Sequence, residues 1–194
     1  MKKTLFAAAL FVATAAGTLT PAFAAPVSYK IDPAHTAVAF IVNHIGFSNV
    51  IGRFNTVSGD ISFDKDAVEK STVNVTIDST SIDTNHAKRD EHLRSPDFFN
   101  AKEFPKLTFK STKIEKTGDK TGKLHGDLTM LGVTKPVVLD ITFNKDGVSP
   151  ASKLETAGFS ARGTVKRTDF GMKYGAPAVG DDIQLLIEIE AVKS

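Results

Sequence analysis

The segment from Ile82 to Leu107 gathers the side chains of this sequence that are best suited to chemistry. It contains His86 and His92, two of the five histidines, and mixes them with arginines, lysines and carboxylates. An imidazole can transfer protons near neutral pH, and a guanidinium can bind a phosphate through paired hydrogen bonds. The segment could therefore provide an acid–base site, a metal site or a binding site for an anionic head group.

The local sequence predicts a short helix near residues 85–94. Thr84 or Asn85 can cap its start, because their side-chain oxygens can accept a hydrogen bond from a free amide of the first turn. Ser95-Pro96 ends it, because the residue before a proline avoids the helical conformation.

This helix does not bring the histidines together. His86 and His92 lie about 240° apart in projection, on different faces, so no metal site is predicted. Arginine and histidine side chains could still meet a phosphate at the surface of the helix. The candidate head-group residues are His86, Arg89, His92 and Arg94.

Other catalytic signatures are weak. No serine lies in a G-x-S-x-G turn, and the glycines are too widely spaced for a phosphate-binding loop. Asp90 and Glu91 are adjacent and point apart on a helix, which is a poor arrangement for paired carboxylates. The sequence therefore predicts no catalytic residue and no cofactor.

The first residues resemble a secretory signal peptide. Lys2 and Lys3 precede an apolar stretch that is too short to span a membrane, and Ala22-Phe23-Ala24 has the small-x-small form of a cleavage site. We therefore expect residues 1–24 to be removed and residues 25–194 to form a single exported domain with no transmembrane segment. The chain has no cysteine, so its stability must come from a hydrophobic core.

The charge balance argues against nucleic acid as a partner. The net charge of +2 arises from Lys2 and Lys3, and without them the 22 basic residues equal the 22 acidic ones. A neutral protein lacks the excess of cations that binding to backbone phosphates requires.

Alternation of apolar and polar residues dominates the rest of the chain. In the clearest run, Val73, Val75 and Ile77 face one way while the intervening polar residues face the other. About eight such runs are separated by short polar turns, which implies antiparallel neighbours. The prediction is an all-β fold in which eight antiparallel strands, interrupted by the one helix, form a barrel or a sandwich.

The apolar face of these strands could be a packed core or the wall of a tunnel. Eight strands can enclose one small ligand, and a wall with almost no hydrogen-bonding groups would select a mostly hydrocarbon ligand. Strand parity gives the predicted wall residues, which are Phe40, Val42, Phe54, Phe63, Val75, Ile77, Phe98, Phe99, Phe109, Leu128, Met130, Leu139, Ile141, Phe159, Leu185 and Ile187.

Several long motifs, correctly ordered and spaced, resemble the YceI-like family of polyisoprenoid-binding proteins over nearly all of residues 25–194. They are Ser28-Tyr-Lys-Ile-Asp32 with His35, Val38-Ala-Phe40, Asn43-His44 with Gly46, Gly52-x-Phe54, the run from Asp83 to Phe98, the run from Gly126 to Val137, and Thr168-Asp-Phe-Gly171.

The resemblance implies a periplasmic, extended, lipocalin-like barrel that carries a polyisoprenoid or a similar long-chain amphiphilic lipid. The expected cargo is an isoprenoid quinone or a polyprenyl phosphate, with its head group toward one end of the tunnel. No catalytic activity is established for this fold. The resemblance also allows a homodimer, and the lipid itself would be the only bound group.

Two alternative functions remain at this point. The first is a lipid-modifying enzyme that uses His86, Arg89, Asp90 and His92 as its acid–base cluster. The second is a stress or adhesion protein that binds another protein through its outer surface, with the apolar interior serving only as a core.

Overall fold

A computed structural model describes residues 25–194 of the chain. The predicted signal peptide, residues 1–24, lies outside the described residues. Within them, no helix is long and apolar enough to span a membrane.

The described chain contains many strands and one α-helix, in agreement with the alternating pattern. The strands are β1 (Val27–Ile31), β2 (Ala37–His44), β3 (Ser48–Phe54), β4 (Val57–Phe63), β5 (Thr72–Asp78), β6 (Ile82–Asp83), β7 (Lys106–Lys116), β8 (Thr121–Met130), β9 (Val133–Val148), β10 (Glu155–Lys166) and β11 (Val179–Lys193). The helix, α1, spans Ala87–Arg94, and 3₁₀ turns occur at Val68–Lys70, Ser79–Ser81 and Arg167–Phe170.

The strands close into an antiparallel barrel with eight wall positions, which confirms the predicted fold. Pairs of collinear strands, β1 with β2, β3 with β4, and β5 with β6, fill three of these positions, and β7 to β11 fill the others. The first and last positions meet because β11 pairs with both β1 and β2. Closure leaves no long exposed edge around the wall.

The strand faces follow the sequence alternation. In β7, Leu107 and Phe109 are buried, whereas Lys106, Thr108 and Lys110 are exposed. Because the side-chain period of a strand is two, this register turns every second residue toward the interior.

The connections divide the barrel into two ends. The helix end carries α1 and the β2–β3, β8–β9 and β10–β11 connections, and the hairpin end carries the β4–β5, β7–β8 and β9–β10 connections. At the hairpin end β8 begins opposite Thr142, so residues 143–148 of β9 extend beyond it.

The helix begins at Ala87, one residue later than a cap at Asn85 would place it. His86, not Thr84 or Asn85, is the N-cap, and its Nδ1 accepts a hydrogen bond from the Arg89 amide at 3.2 Å. Thr84 instead donates its amide and its hydroxyl to the Asp90 carboxylate. Buried Asp90 thus ties the helix to the strand before it, because a carboxylate can satisfy several donors at once.

Candidate functional site

The barrel encloses an apolar cavity of about 660 Å³. All sixteen predicted tunnel residues, which include Phe40, Phe109 and Leu185, lie on its wall. Their role in binding a ligand stays a prediction, but the geometry shows that the inward face of the barrel surrounds a cavity rather than a filled core.

Further wall residues were not predicted. Many lie on the same strand face as a predicted residue, as Ile61 does with Phe63 and Val73 does with Val75. Including every apolar residue of that face would have found them. Others, such as Val68 and Met172, come from irregular segments in which parity carries no information. The additional apolar wall residues are Val38, Ile61, Val68, Val73, Leu93, Leu107, Ile114, Leu124, Val137, Phe143, Ala161, Val165, Met172, Val179, Ile183 and Ile189.

Aromatic rings cluster near both ends of the cavity. At the hairpin end, the Phe63 ring lies 5.2 Å from those of Phe143 and Phe159 between centroids. At the helix end, Phe54 packs edge-on against Phe99 at 5.5 Å. Edge-on and tilted arrangements are the favoured geometries for such rings, so both ends have a defined aromatic wall.

The helix end is closed by apolar side chains from the segment around α1. Leu93, Phe98 and Phe99 line the cavity there. Outside Phe98, the His92 and Tyr174 rings pack against it and against each other at 5.0–5.2 Å. The segment with the densest polar sequence therefore presents an apolar surface to the cavity.

None of the four candidate head-group residues lines the cavity, and each has a partner near its own segment. Arg89 donates to the carbonyl and hydroxyl oxygens of Thr84, and Arg94 donates to the carbonyls of Thr80 and Ile82. The Nε2 atom of His92 lies 2.9 Å from the Asp97 carboxylate. These contacts stabilise the helix against β6, and a role in ligand binding stays a prediction for all four.

Polar wall residues concentrate at the hairpin end. Lys65 forms an ion pair with Asp146 at 2.8 Å, and this hydrogen bond raises the pKa of the lysine above its usual value. The Lys120 ammonium donates to the Asn144 carbonyl at 3.3 Å. The charged residues of this mouth are Lys65, Glu115, Lys116, Asp119, Lys120, Lys145 and Asp146. One end of the cavity is thus apolar, and the other end is rimmed with charge.

Arg167 is a buried charge on the wall near the helix end. Its side chain is 2% exposed, and it donates to the carbonyls of Gly180, Met172, Tyr174 and Val179 at 2.8–2.9 Å. Burial lowers the pKa of the guanidinium, although the group stays charged. Arg167 therefore holds the β10–β11 connection across this end of the barrel.

Apart from Arg167, which is bonded to backbone carbonyls, the charged groups of this lining lie at the hairpin end, and the apolar remainder could bury hydrocarbon. The YceI-like domain model matches residues 29–191 of the chain. The chain belongs to the YceI-like family. A UPF0312 protein of Vibrio parahaemolyticus is 42% identical over the full length of both chains. The protein YceI of Escherichia coli O157:H7 is 42% identical over 85% of this chain and 86% of its own.

Solved YceI-like structures share the barrel. The Campylobacter jejuni YceI protein superposes with a TM-score of 0.71 at 38% identity, covering 78% of this chain and 90% of its own. A polyisoprenoid-binding domain from Saccharophagus degradans superposes with a TM-score of 0.66 over 87% of this chain and 99% of its own. At 14% identity the second likeness establishes the fold alone.

Proposed function

We propose that this YceI-like protein is a periplasmic carrier that holds a polyisoprenoid or a similar long-chain amphiphilic lipid in its barrel. The observation that supports this proposal is the apolar cavity of about 660 Å³ inside the barrel, with a charged rim at its hairpin end. Its size falls within the range of ligand pockets, roughly 300–1,000 Å³. The description of the Saccharophagus degradans domain as polyisoprenoid-binding supports the same class of cargo.

Burial supplies the affinity in this proposal. Each methylene group that leaves water contributes about 0.8 kcal/mol, so a chain of isoprene units gains affinity in proportion to the length that the cavity covers. The apolar wall offers the chain no directional hydrogen bond, so affinity depends on length and width rather than on functional groups along the chain. The proposed role needs no catalytic residue and no cofactor.

Export follows from the same proposal. Removal of residues 1–24 would deliver the barrel to the periplasm, where a water-filled space separates lipid donors from acceptors. The cavity lies within a single barrel, so the carrier function does not require a second copy of the chain. A homodimer stays a prediction.

Protein purified from its native host is expected to retain a hydrophobic molecule. Native mass spectrometry should detect an added mass that disappears after extraction with organic solvent, because a buried chain dissociates slowly from an apolar cavity. Protein that is repeatedly empty and does not bind added polyprenols would contradict the carrier proposal.

We further propose that the polar end of the cargo lies at the hairpin end. Within residues 25–194, Lys116 and Lys145 form no ion pair, unlike Lys65, and both belong to the rim of the cavity. A phosphate placed there would gain charge-assisted hydrogen bonds while the chain stayed in the apolar wall.

Replacing Lys116 and Lys145 with glutamine should weaken the binding of a polyprenyl phosphate by roughly fivefold per lysine, as expected for exposed ion pairs. Binding of the uncharged polyprenol should not change, because only the head group differs. A fluorescence competition assay compares the two ligands, and Lys102→Gln, an exposed lysine at the helix end, is the matched control.

The alternative is a head-group site on α1. Glutamine at Arg89 or Arg94 would then reduce phosphate binding, and the two rim substitutions would not. The enzyme hypothesis has less support, because the Asp90 carboxylate is already bonded to Thr84 and does not line the cavity.

A further inference from the structure

Asp32, His35 and Glu190 bring three potential metal ligands together on the outer surface of the barrel. One carboxylate oxygen of each acid and one imidazole nitrogen all lie within 4.8 Å of one another. Among residues 25–194, no other group of three histidine, aspartate or glutamate side chains converges in this way. The His92–Asp97 and His125–Glu115 pairs each have a single carboxylate.

The backbone fixes where these side chains meet. Asp32 and His35 lie in the break between β1 and β2, and Glu190 belongs to β11 beside that break. The Asp32 amide donates to the Glu190 carbonyl at 2.8 Å, and the Thr36 hydroxyl donates to the same oxygen. The Ala34 amide donates to one oxygen of Asp32 at 2.9 Å, which orients the carboxylate. The Asp32 carboxylate and the backbone at Glu190 are therefore held by contacts that metal binding would leave intact.

The electrostatics of this group favour a cation. The other oxygen of Asp32 lies 2.7 Å from Nδ1 of His35, whereas the Glu190 side chain forms no hydrogen bond or ion pair within residues 25–194. Two carboxylates thus converge on one imidazole, while Lys30, which lines the same pocket, pairs with Asp60 instead. A divalent ion would stabilise this arrangement.

The distances are close to those of a metal centre. A tetrahedral ion with bonds of about 2.0–2.2 Å keeps its ligands roughly 3.3–3.6 Å apart. The Asp32–His35 separation must widen by less than about 1 Å, and Glu190 must approach by at most about 1.5 Å, which side chains at the surface can do by small rotations. The proton on Nδ1 would move to Nε2 or to solvent.

The surroundings leave room for further ligands. The three side chains line a surface pocket that also includes Ser149 and Ser152 of the β9–β10 connection. Residues of this connection and of β11 thus face one shallow pocket, in which the serine hydroxyls could supply further oxygen ligands.

We propose that Asp32, His35 and Glu190 form a binding site for a first-row divalent transition-metal ion of the zinc class. One imidazole with two carboxylates is a typical set for such ions, whereas Ca²⁺ and Mg²⁺ prefer oxygen ligands alone. The ion would link the break between β1 and β2 to β11 on the outside of the wall. This site is separate from the lipid cavity and does not depend on the proposed carrier function.

Titration of purified protein, without a histidine tag, with zinc chloride in an isothermal calorimeter tests the site. We expect one saturable site per chain, and His35→Ala and Glu190→Gln should each weaken zinc binding by at least about tenfold. His92→Ala removes an exposed histidine that pairs with a single carboxylate, and it should leave the affinity unchanged. Magnesium chloride should give no saturable heat.

A second measurement separates this site from adventitious binding. Co²⁺ in the proposed site should give intense visible absorption that is lost in His35→Ala, because a protein-bound ion with few ligands absorbs more strongly than the hydrated ion. The absence of a saturable zinc site, or equal affinity in wild type and His35→Ala, would overturn the proposal. Glu190→Gln should retain its lipid, so failure of the metal site and failure of the carrier function are distinguishable.

Discussion

Replacing Ala161 with tryptophan is expected to reduce lipid affinity by roughly sixtyfold or more. Ala161 faces the cavity from the middle of β10, opposite Ile141 on one side and Ile187 on the other. An indole at this position fills part of the space that the lipid chain would occupy. Excluding about three methylene-sized groups costs about 2.4 kcal/mol of burial, which corresponds to this factor.

The measurement is a binding curve for a long-chain polyprenol, with far-UV circular dichroism and urea unfolding as tests of the fold. Thr164→Trp is the matched control, since Thr164 lies on the same strand with its side chain exposed. Both variants should fold, because the indole of the first enters an existing cavity. If folded Ala161→Trp bound the polyprenol as wild type does, the cargo would have to lie outside the barrel.

Replacing Arg167 with leucine is expected to lower the free energy of unfolding by about 4 kcal/mol. The substitution leaves four carbonyl groups of the β10–β11 connection without their donor, and each unsatisfied buried acceptor costs about 1–3 kcal/mol before the segment relaxes. Arg167→Lys should recover only a small part of the loss. A single ammonium on a flexible stem cannot reach four carbonyls that are arranged around a planar guanidinium.

Urea unfolding followed by circular dichroism measures this effect. Arg162→Met is the control, because Arg162 lies on β10, the strand that precedes Arg167, with an exposed side chain that pairs with Glu188. Its loss should cost less than about 1 kcal/mol, as for most surface ion pairs. Similar stability changes for the two arginine substitutions would show that the buried hydrogen bonds do not stabilise the β10–β11 connection.

The sequence predicted the barrel wall well because strand geometry converts alternation directly into direction. Val75 and Ile77 face the cavity as their parity required, and so do the other predicted residues. Parity needs only the local chain, and it holds within each stretch between register shifts, such as those in β7 between Ser111 and Lys113 and in β10 between Gly158 and Phe159.

Polar contacts were predicted less well because they depend on segments that are distant in sequence. The charged mouth joins Lys65 from the β4–β5 connection to Asp146 from the extended end of β9. Nothing in the alternation indicates that these segments meet. Arg167 was missed for a different reason, because its four acceptors lie only 5 to 13 residues further along the chain, but in a connection without the alternation that parity requires.

The helix illustrates a different limit. Its location was predicted correctly, but two residues that resemble N-caps precede it, and the backbone used a third. Asn85 adopts a left-handed conformation with φ of 59°, and Thr84 is committed to Asp90. Local hydrogen bonds of similar strength compete for these side chains, and they decided which residue caps the helix. The intrinsic capping preferences of the residue types cannot rank such bonds.

The three divided wall positions have a mechanical consequence. Their breaks, at residues 32–36, 55–56 and 79–81, lie side by side at one level of the wall, because Phe54 pairs with both Val38 and Ile82. A continuous strand spreads bending along its length, whereas a jointed strand concentrates bending at the joint. The barrel therefore has five wall positions with unbroken strands, β7 to β11, and three jointed positions at which we expect bending to concentrate. If the barrel widens to admit a bulky chain, we expect the three aligned joints to open while the hydrogen-bond ladders of β7 to β11 stay paired.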